Sequence, residues 1–256
     1  MSTDSIHQPT IGRFTTEHLD ETDSTNRVCK DLAQEGENTD WVVWTDFQTA
    51  GRGCGTNTWE SERGKNLLFS ILCHPQNVRA THQFLLLEAM SLALIEALEP
   101  HVHTGSLSVK WPNDIYWNDS KLGGTLTECS LSGQQLKWCV IGTGLNVNQR
   151  AFMSDAPNPV SLLQICNKEL ELQPLLERIL SQFSKYLDLI KEAKYEALHK
   201  AYMTILYRRE GFHDYCDAHG RFRAKIVDVE HEGTLILQDT MQQIRRYQFK
   251  EVQFII

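Results

Sequence analysis

The spacing of hydrophobic residues in the first half of the chain switches between strand-like and helical patterns. Capping side chains at residues 23–26 predict the start of a helix that ends by Gly36. Two dense runs of β-forming residues, 41–47 and 67–72, predict buried strands. Apolar residues then recur at helical spacing over residues 81–98, which predicts a long core helix.

The second half begins with short strand patterns and ends with another change of period. Strands are predicted at residues 107–111, 115–117, 125–131 and 136–143, with a hairpin turn at 132–134. Helical spacing returns from Pro174 to about Leu206. After residue 208 the apolar residues alternate with polar ones, as in a small all-β unit. The patterns predict an α+β protein with a large domain over residues 1–208 and a small β domain over 209–256.

Composition narrows the class of protein. The chain has 256 residues, of which 41% are hydrophobic and 23% are charged, so it is an ordinary globular sequence and not a disordered one. Its formal net charge is -8, which argues against nucleic acid as the main partner. The richest apolar stretch, residues 84–98, is interrupted by Glu88 and Glu96, so no membrane span is expected.

The cysteines and the N-terminal segment predict the cellular compartment. The seven cysteines are scattered and contain no C-x-x-C pair, which argues against a disulfide framework and fits a reducing compartment. The first residues lack a cationic segment followed by an apolar one, as a secretory signal would have. A cytoplasmic protein is therefore expected.

A glycine-rich segment at residues 49–59 is the first candidate for chemistry. It follows a predicted buried strand and combines three glycines with Arg52, so its backbone N–H groups and the guanidinium could approach an anion. The segment lacks the lysine pattern of a P-loop. A flexible hairpin turn is the alternative interpretation of the same residues.

Three further segments place polar or charged residues beside Pro or Gly. In residues 110–114 (KWPND), Lys110 could face a phosphate and Asp114 could hold Mg²⁺ or orient a nucleophile; an Asx turn with a surface lysine is the alternative. Lys121 precedes two glycines that permit close approach of a ligand, although a lone lysine is usually solvated. Residues 142–146 (GTGLN) only partly imitate a dinucleotide fingerprint, but Asn146 offers a donor and an acceptor.

Taken in order, these segments resemble the biotin protein ligase family. The matching motifs are DSTN at residues 23–26, QTAGRG at 48–53, N-x-W at 57–59, KWPND at 110–114, KLGG at 121–124, G-x-G-x-N at 142–146 and RRY-x-FKEV at 245–252. The resemblance implies a mixed sheet with flanking helices, similar to class II aminoacyl-tRNA synthetases, and an SH3-like C-terminal barrel. The short segment before DSTN resembles the form of the family that lacks a DNA-binding domain.

The resemblance also implies a reaction and a partner. Biotin would be activated by ATP, with Mg²⁺, to biotinyl-5′-AMP, and the biotinyl group would pass to a lysine of a biotin carboxyl carrier domain. No nucleic acid or membrane partner is expected, and the protein would be a monomer or a homodimer. A lipoate protein ligase and a non-catalytic biotin sensor are the alternative functions.

Family positions carry over to individual residues. Arg52, Lys121, Asp114 and Lys110 would be catalytic. Mg²⁺ would be held by ATP, near Asp114, and by no protein site alone. The residues expected at biotin are Ser24, Thr25, Asn26, Gln48, Arg52, Gly53, Cys54, Lys121, Gly123, Gly142 and Gly144. Those expected at the nucleotide are Arg52, Trp59, Lys110, Asn113, Asp114, Lys121 and Asn146. Many members have further arginines after Gly53, whereas this chain has Cys54, which predicts looser retention of the adenylate.

Overall fold

A mixed eight-stranded sheet forms the larger part of the protein. The computed structural model describes residues 9–53, 55, 57–153 and 158–256. The strands of the large sheet are β1 (Thr10–Ile11), β2 (Phe14–Leu19), β3 (Trp41–Thr45), β4 (Leu67–Cys73), β5 (Leu107–Lys110), β6 (Asp114–Trp117), β7 (Ser120–Ser132) and β8 (Gln135–Leu145). Their order is β1-β2-β3-β4-β8-β7-β6-β5. Only β2 and β3 pair in parallel among these strands.

Helices cover both faces of this sheet. They are α1 (Thr25–Gln34), α2 (Phe84–Leu98), α3 (Leu162–Cys166), α4 (Leu172–Lys191) and α5 (Tyr195–Thr204). Helix α1 packs on β3, β4 and β8, while α2 lies between the other face and helices α4 and α5. Because neighbours surround α2, nearly every one of its side chains is buried, Glu88 included.

The helix α2 segment corrects one expectation about membranes. With its flanking turns, the segment Ala80–His101 spans 22 residues and is long and apolar enough to cross a bilayer, although the sequence predicted no such stretch. However, 78% of its most apolar part is buried inside the protein, as in a core helix. Glu88 is buried within this helix, and the hydrogen bond between its carboxylate and His199 stabilises it there.

A separate five-stranded antiparallel sheet follows, as the alternating pattern predicted. Its strands are β9 (His213–Asp217), β10 (Gly220–Val229), β11 (Leu235–Asp239), β12 (Ile244–Tyr247) and β13 (Gln253–Phe254), in the order β12-β11-β10-β9-β13. This small unit rests on the larger one near β5 and β6. Trp111 Nε1 donates to the Gly233 carbonyl at 2.9 Å, and Arg208 donates to the Ile255 carbonyl at 2.6 Å.

The structure differs from the sequence expectations at three places. The single helix predicted from Pro174 onward is two helices, because the backbone at Ala193 adopts φ +54°, which an α-helix does not allow. Strand β7 begins at Ser120, so Lys121 lies inside a strand and not before one. Cys129 and Cys139 form a disulfide across the β7–β8 pair, although no disulfide was expected. The two cysteines lie directly opposite each other because the hairpin sets that register.

Candidate functional site

One large cavity brings the predicted site residues together. It has a volume of about 1060 Å³ and lies between the start of α1, the glycine-rich segment, the β5–β6 turn and the small unit. The predicted residues that line it are Ser24, Thr25, Asn26, Gln48, Arg52, Gly53, Trp59, Lys110, Asn113, Asp114, Lys121, Gly142, Gly144 and Asn146. Arg52 and Lys121 therefore share one cavity. Cys54 lies outside the described residues.

The glycine-rich segment forms a hairpin at the mouth of this cavity. The Gly53 amide donates to the Asn57 carbonyl at 2.8 Å, and the Trp59 amide donates to the Gly51 carbonyl at 3.0 Å. Arg52 and Trp59 both reach the cavity from this hairpin. The segment therefore forms a hairpin and also lines the cavity, so a hairpin turn and a loop that approaches a ligand are compatible interpretations of its sequence.

At one end of the cavity, a hydrogen-bond chain fixes the start of α1. The Thr25 amide donates to Gln48 Oε1 at 2.8 Å, which satisfies a helix N-terminal N–H group that lacks a partner in the helix. The hydroxyls of Thr25 and Ser70 are 2.7 Å apart, and Ser70 donates to Asn26 Oδ1 at 2.6 Å. Since the one Ser70 proton goes to Asn26, the Thr25 hydroxyl is the donor toward Ser70 and toward Gln48 Oε1, which lies 3.2 Å away, and the Thr25 oxygen remains an acceptor for the cavity. Gln48 keeps its Nε2 as a donor.

The chain of hydrogen bonds ends at a half-buried carboxylate. Asn26 Nδ2 donates to Glu128 Oε2 at 2.9 Å, and Lys30 forms an ion pair with the same carboxylate. Burial alone would raise the pKa of Glu128, but the hydrogen bonds from Lys30 and Asn26 lower it below its ordinary value. Glu128 therefore stays ionised and holds the Asn26 carboxamide in one orientation.

At the other end, three cations of the large unit line the cavity. Lys121 Nζ lies 2.7 Å from Asp114 Oδ1, on the neighbouring strand. Lys110 Nζ donates to the Tyr116 hydroxyl at 3.2 Å, and burial lowers the pKa of this lysine. Arg52 is exposed and forms no ion pair with a carboxylate of the described residues, although its charge helps to lower the pKa of Glu128. These charges make this end of the cavity suited to an anion.

A buried amide beside the cations has an unused acceptor. Asn146 is 3% exposed and donates from Nδ2 to the Val160 carbonyl at 3.1 Å. Its Oδ1 has no hydrogen-bond partner in the described part of the chain. A buried acceptor without a partner is costly, so a ligand donor fits here. The Trp59 ring lies nearby, with its centroid 5.9 Å from Lys121 Nζ.

The glycines of the site lie close to neighbouring side chains and strands. A Cβ on Gly142 would collide with the Asn26 carboxamide, and one on Gly144 would collide with the Trp59 ring. Both glycines thus make room for side chains that line the cavity. Gly123 is not in the lining: a Cβ there would lie 2.9 Å from the Gly144 carbonyl oxygen, so it permits close contact between β7 and β8.

Several residues of the cavity were not singled out in the sequence. Phe69, Leu126 and Phe152 add apolar surface. Phe249 and Lys250 reach the cavity from the small unit. Phe249 and Lys250 belong to the family-like motif at residues 245–252, but no sequence pattern showed that this motif lies close to the glycine-rich segment. No cluster of three or more His, Cys, Asp or Glu side chains able to hold a metal ion occurs within the described ranges.

Comparisons with known proteins agree with this geometry. The biotin protein ligase from Aquifex aeolicus in complex with biotin and ATP superimposes with a TM-score of 0.77, covering 94% of this chain and 99% of that one at 24% identity. This chain therefore has the class II synthetase-like α+β fold that such ligases share. The family model described as the biotin/lipoate A/B protein ligase family matches residues 19–146. This chain belongs to that family.

Two curated relatives add sequence likeness. The bifunctional ligase/repressor BirA of Bacillus subtilis is 28% identical over 228 residues, which cover 84% of this chain and 66% of that protein. The biotin–[acetyl-CoA-carboxylase] ligase of Paracoccus denitrificans is 30% identical over 175 residues, which cover 66% of this chain and 71% of that protein. The match thus spans about two thirds of the length of each relative.

Proposed function

We propose that this chain is an ATP-dependent biotin protein ligase. In the first step, a carboxylate oxygen of biotin attacks the α-phosphorus of ATP. The bond from that phosphorus to the oxygen bridging to the β-phosphate breaks, and pyrophosphate leaves. The product is biotinyl-5′-AMP, a mixed anhydride that remains in the cavity.

The observation that carries this proposal is the convergence of Arg52 and Lys121 on one cavity. Both substrates of the first step are anions and repel each other. Cations placed at the point of contact offset this repulsion and stabilise the charge that develops in the transition state. Lys110, whose pKa is lowered by burial, adds a third cation against the nucleotide.

The hydrogen-bond chain at α1 supports biotin as the acid. The ureido ring of biotin presents one carbonyl and two N–H groups, so it needs donors and acceptors at fixed positions. The Thr25 oxygen and Gln48 Nε2 supply one of each kind, and the Ser24 hydroxyl, which makes no capping bond to α1, is available beside them. The dithiolane ring of lipoate would leave these groups unpaired, which is costly in a buried site.

ATP is the nucleotide that the other end of the cavity fits. The Oδ1 of Asn146, which has no partner among the described residues, can accept a hydrogen bond from the adenine amino group, and the Trp59 ring offers a stacking face. Mg²⁺ would enter with ATP and is held in such sites by phosphates and one or two carboxylates. Asp114 fits that requirement, because only one of its oxygens is engaged with Lys121.

The second step passes the biotinyl group to a protein. A neutral lysine amine of a biotin carboxyl carrier domain attacks the anhydride carbonyl carbon, the bond to the phosphate oxygen breaks, and AMP leaves. Asp114 would accept a hydrogen bond from the incoming amine, and the proton that the amine loses on forming the amide would pass through Asp114 to water. The name of the Paracoccus denitrificans relative, an acetyl-CoA-carboxylase ligase, supports a carboxylase carrier domain as the partner.

Mass spectrometry of a purified carrier domain incubated with this protein, ATP and biotin tests the proposal. We expect one added biotinyl group, and none when ATP is omitted. Addition of a lipoyl group instead, in a parallel reaction with lipoate, would identify a lipoate ligase. Tight binding of biotin without pyrophosphate release would identify a non-catalytic sensor. Either of these two outcomes contradicts the proposal.

A further inference from the structure

The nucleotide end of the cavity has few free positive charges for its ligand. ATP with bound Mg²⁺ still carries about two negative charges, and biotin adds another. Lys121 is already paired with Asp114, and Lys110 is buried against Tyr116. The glycine-rich segment supplies Arg52, but its next side chain is Cys54, which is not a cation. A further cation is therefore expected from another part of the molecule.

Lys250 of the small unit lies where such a cation is needed. It lines the cavity, and its ammonium group is against Gly55, so that a Cβ on Gly55 would collide with Lys250 Nζ. The side chain is exposed, and no carboxylate of the described residues pairs with it. The ammonium group is thus held over the glycine-rich segment and remains available to a ligand.

The backbone at Lys250 supports a functional reason for this lysine. Its φ is +72°, a left-handed conformation that side chains other than glycine rarely adopt. The surrounding turn is closed by two hydrogen bonds: the Gln248 amide donates to the Glu251 carboxylate at 2.7 Å, and the Glu251 amide donates to the Gln248 carbonyl at 3.1 Å. Glycine would suit this position better for folding, and strained residues of this kind concentrate at functional sites.

We propose that Lys250 binds the phosphate chain of ATP and supplies, from the small unit, the cation that the glycine-rich segment lacks after Gly53. This inference rests on the proposed use of ATP in this cavity. It makes the small unit a direct part of the nucleotide site. Lys250 is a binding residue for the phosphates, whereas Asn146 and Trp59 contact the base.

The substitution Lys250→Gly separates binding from folding. It removes the ammonium group and relieves the left-handed strain, so the melting temperature should stay equal or rise. We expect the dissociation constant for MgATP, measured by isothermal titration calorimetry, to increase about tenfold, the size of one charge-assisted phosphate contact. Affinity for adenosine and for biotin should change less than about twofold, because neither ligand carries the phosphate chain.

Two variants complete the test. Gln242→Gly is the matched control, since Gln242 also has a left-handed backbone, φ +63°, and is exposed on the small unit away from the cavity; it should leave the MgATP affinity unchanged. Lys250→Arg should keep most of that affinity. An unchanged MgATP affinity in Lys250→Gly, or an equal loss for adenosine, overturns the inference. A wild-type protein that binds MgATP but forms no biotinyl-5′-AMP instead contradicts the proposed function and leaves the inference standing.

Discussion

The two ends of the cavity are built in different ways. At the end proposed to bind biotin (the biotin end), Thr25, Ser70, Asn26 and Glu128 form a continuous chain of hydrogen bonds between α1 and the sheet, and three of these four side chains are buried. At the end proposed to bind ATP (the nucleotide end), the wall combines the glycine-rich hairpin, the β5–β6 turn and the small unit. There the described residues include exposed cations and, at Asn146, an acceptor with no hydrogen-bond partner among them.

The biotin end is therefore a preformed subsite, whereas at the nucleotide end the hydrogen bonds and charge pairs are completed only when a ligand binds. A neutral ring of fixed hydrogen-bonding pattern is best recognised by groups whose orientations are already set, since little ordering remains to be done on binding. A charged phosphate chain is recognised mainly by the number and placement of cations. Substitutions at the biotin end should therefore lower both stability and biotin affinity, whereas those at the nucleotide end should lower the rate and leave the fold intact.

The largest expected effect is that of Lys121→Ala at the nucleotide end. The ammonium group would stabilise charge that develops only in the transition state, so its loss should reduce the rate of adenylate formation by about 10²-fold or more. The Lys121–Asp114 pair is about a quarter exposed, so the melting temperature should fall little. Pyrophosphate release with saturating biotin measures the rate. Wild-type turnover in this variant would refute the role given to Lys121.

Gly142→Ala should give the largest effect at the biotin end. Its Cβ would displace the Asn26 carboxamide, which is tied to both Ser70 and Glu128. We expect a loss of stability of about 1–3 kcal/mol from overpacking. Biotin affinity should fall roughly tenfold, as one or two hydrogen bonds lose their geometry. MgATP affinity, measured on the same variant, is the internal control, and an equal loss of both affinities would show that the two ends are not independent.

The sequence predicted the secondary-structure elements better than it predicted which elements contact one another. Dense apolar runs predicted β3, β4 and α2; the two short runs are rich in β-forming residues, and the third is of helical length. The residues carried over from the family-like motifs include fourteen that line the cavity. Ser70 and Glu128, however, act through side chains on other elements, and a single strand pattern cannot show which partner faces it. Lys250 was not predicted for the same reason, since its proximity to Gly55 depends on how the small unit packs against the large one.

A smaller effect concerns how the small unit is attached. His199 on α5 lies 2.7 Å from Glu88 Oε1 and 2.9 Å from Asp228 Oδ1 on β10. The hydrogen bond to Glu88 raises the pKa of His199 from 6.5 to about 9, with burial opposing and Asp228 adding to the rise. Because the folded-state pKa is the higher one, the stabilisation is complete below pH 6.5 and is lost as the pH rises through 9.

Urea unfolding at pH 7 and at pH 9.5 measures this contribution. The free energy of unfolding of the wild type should fall by about 2 kcal/mol more over this range than that of His199→Gln, which has no proton to lose. If the small unit loosens in His199→Gln, MgATP affinity should weaken and biotin affinity should not, in keeping with the contrast between the two ends. Equal pH slopes for the two proteins would contradict the assignment of a protonated His199.

The smallest expected effect is a gain, from Cys54→Arg in the glycine-rich segment. An added guanidinium on this segment should slow the release of biotinyl-5′-AMP, which keeps only the α-phosphate, by roughly threefold, the value of one exposed charge contact. Release can be timed by trapping free adenylate after single-turnover formation. In a Lys250→Gly background the same substitution should slow release more, because the new arginine would then replace the only cation lost. An identical effect in both backgrounds would mean that Lys250 and residue 54 do not both act on the α-phosphate of the adenylate, and it would confine the contacts of that phosphate to the cations of the large unit.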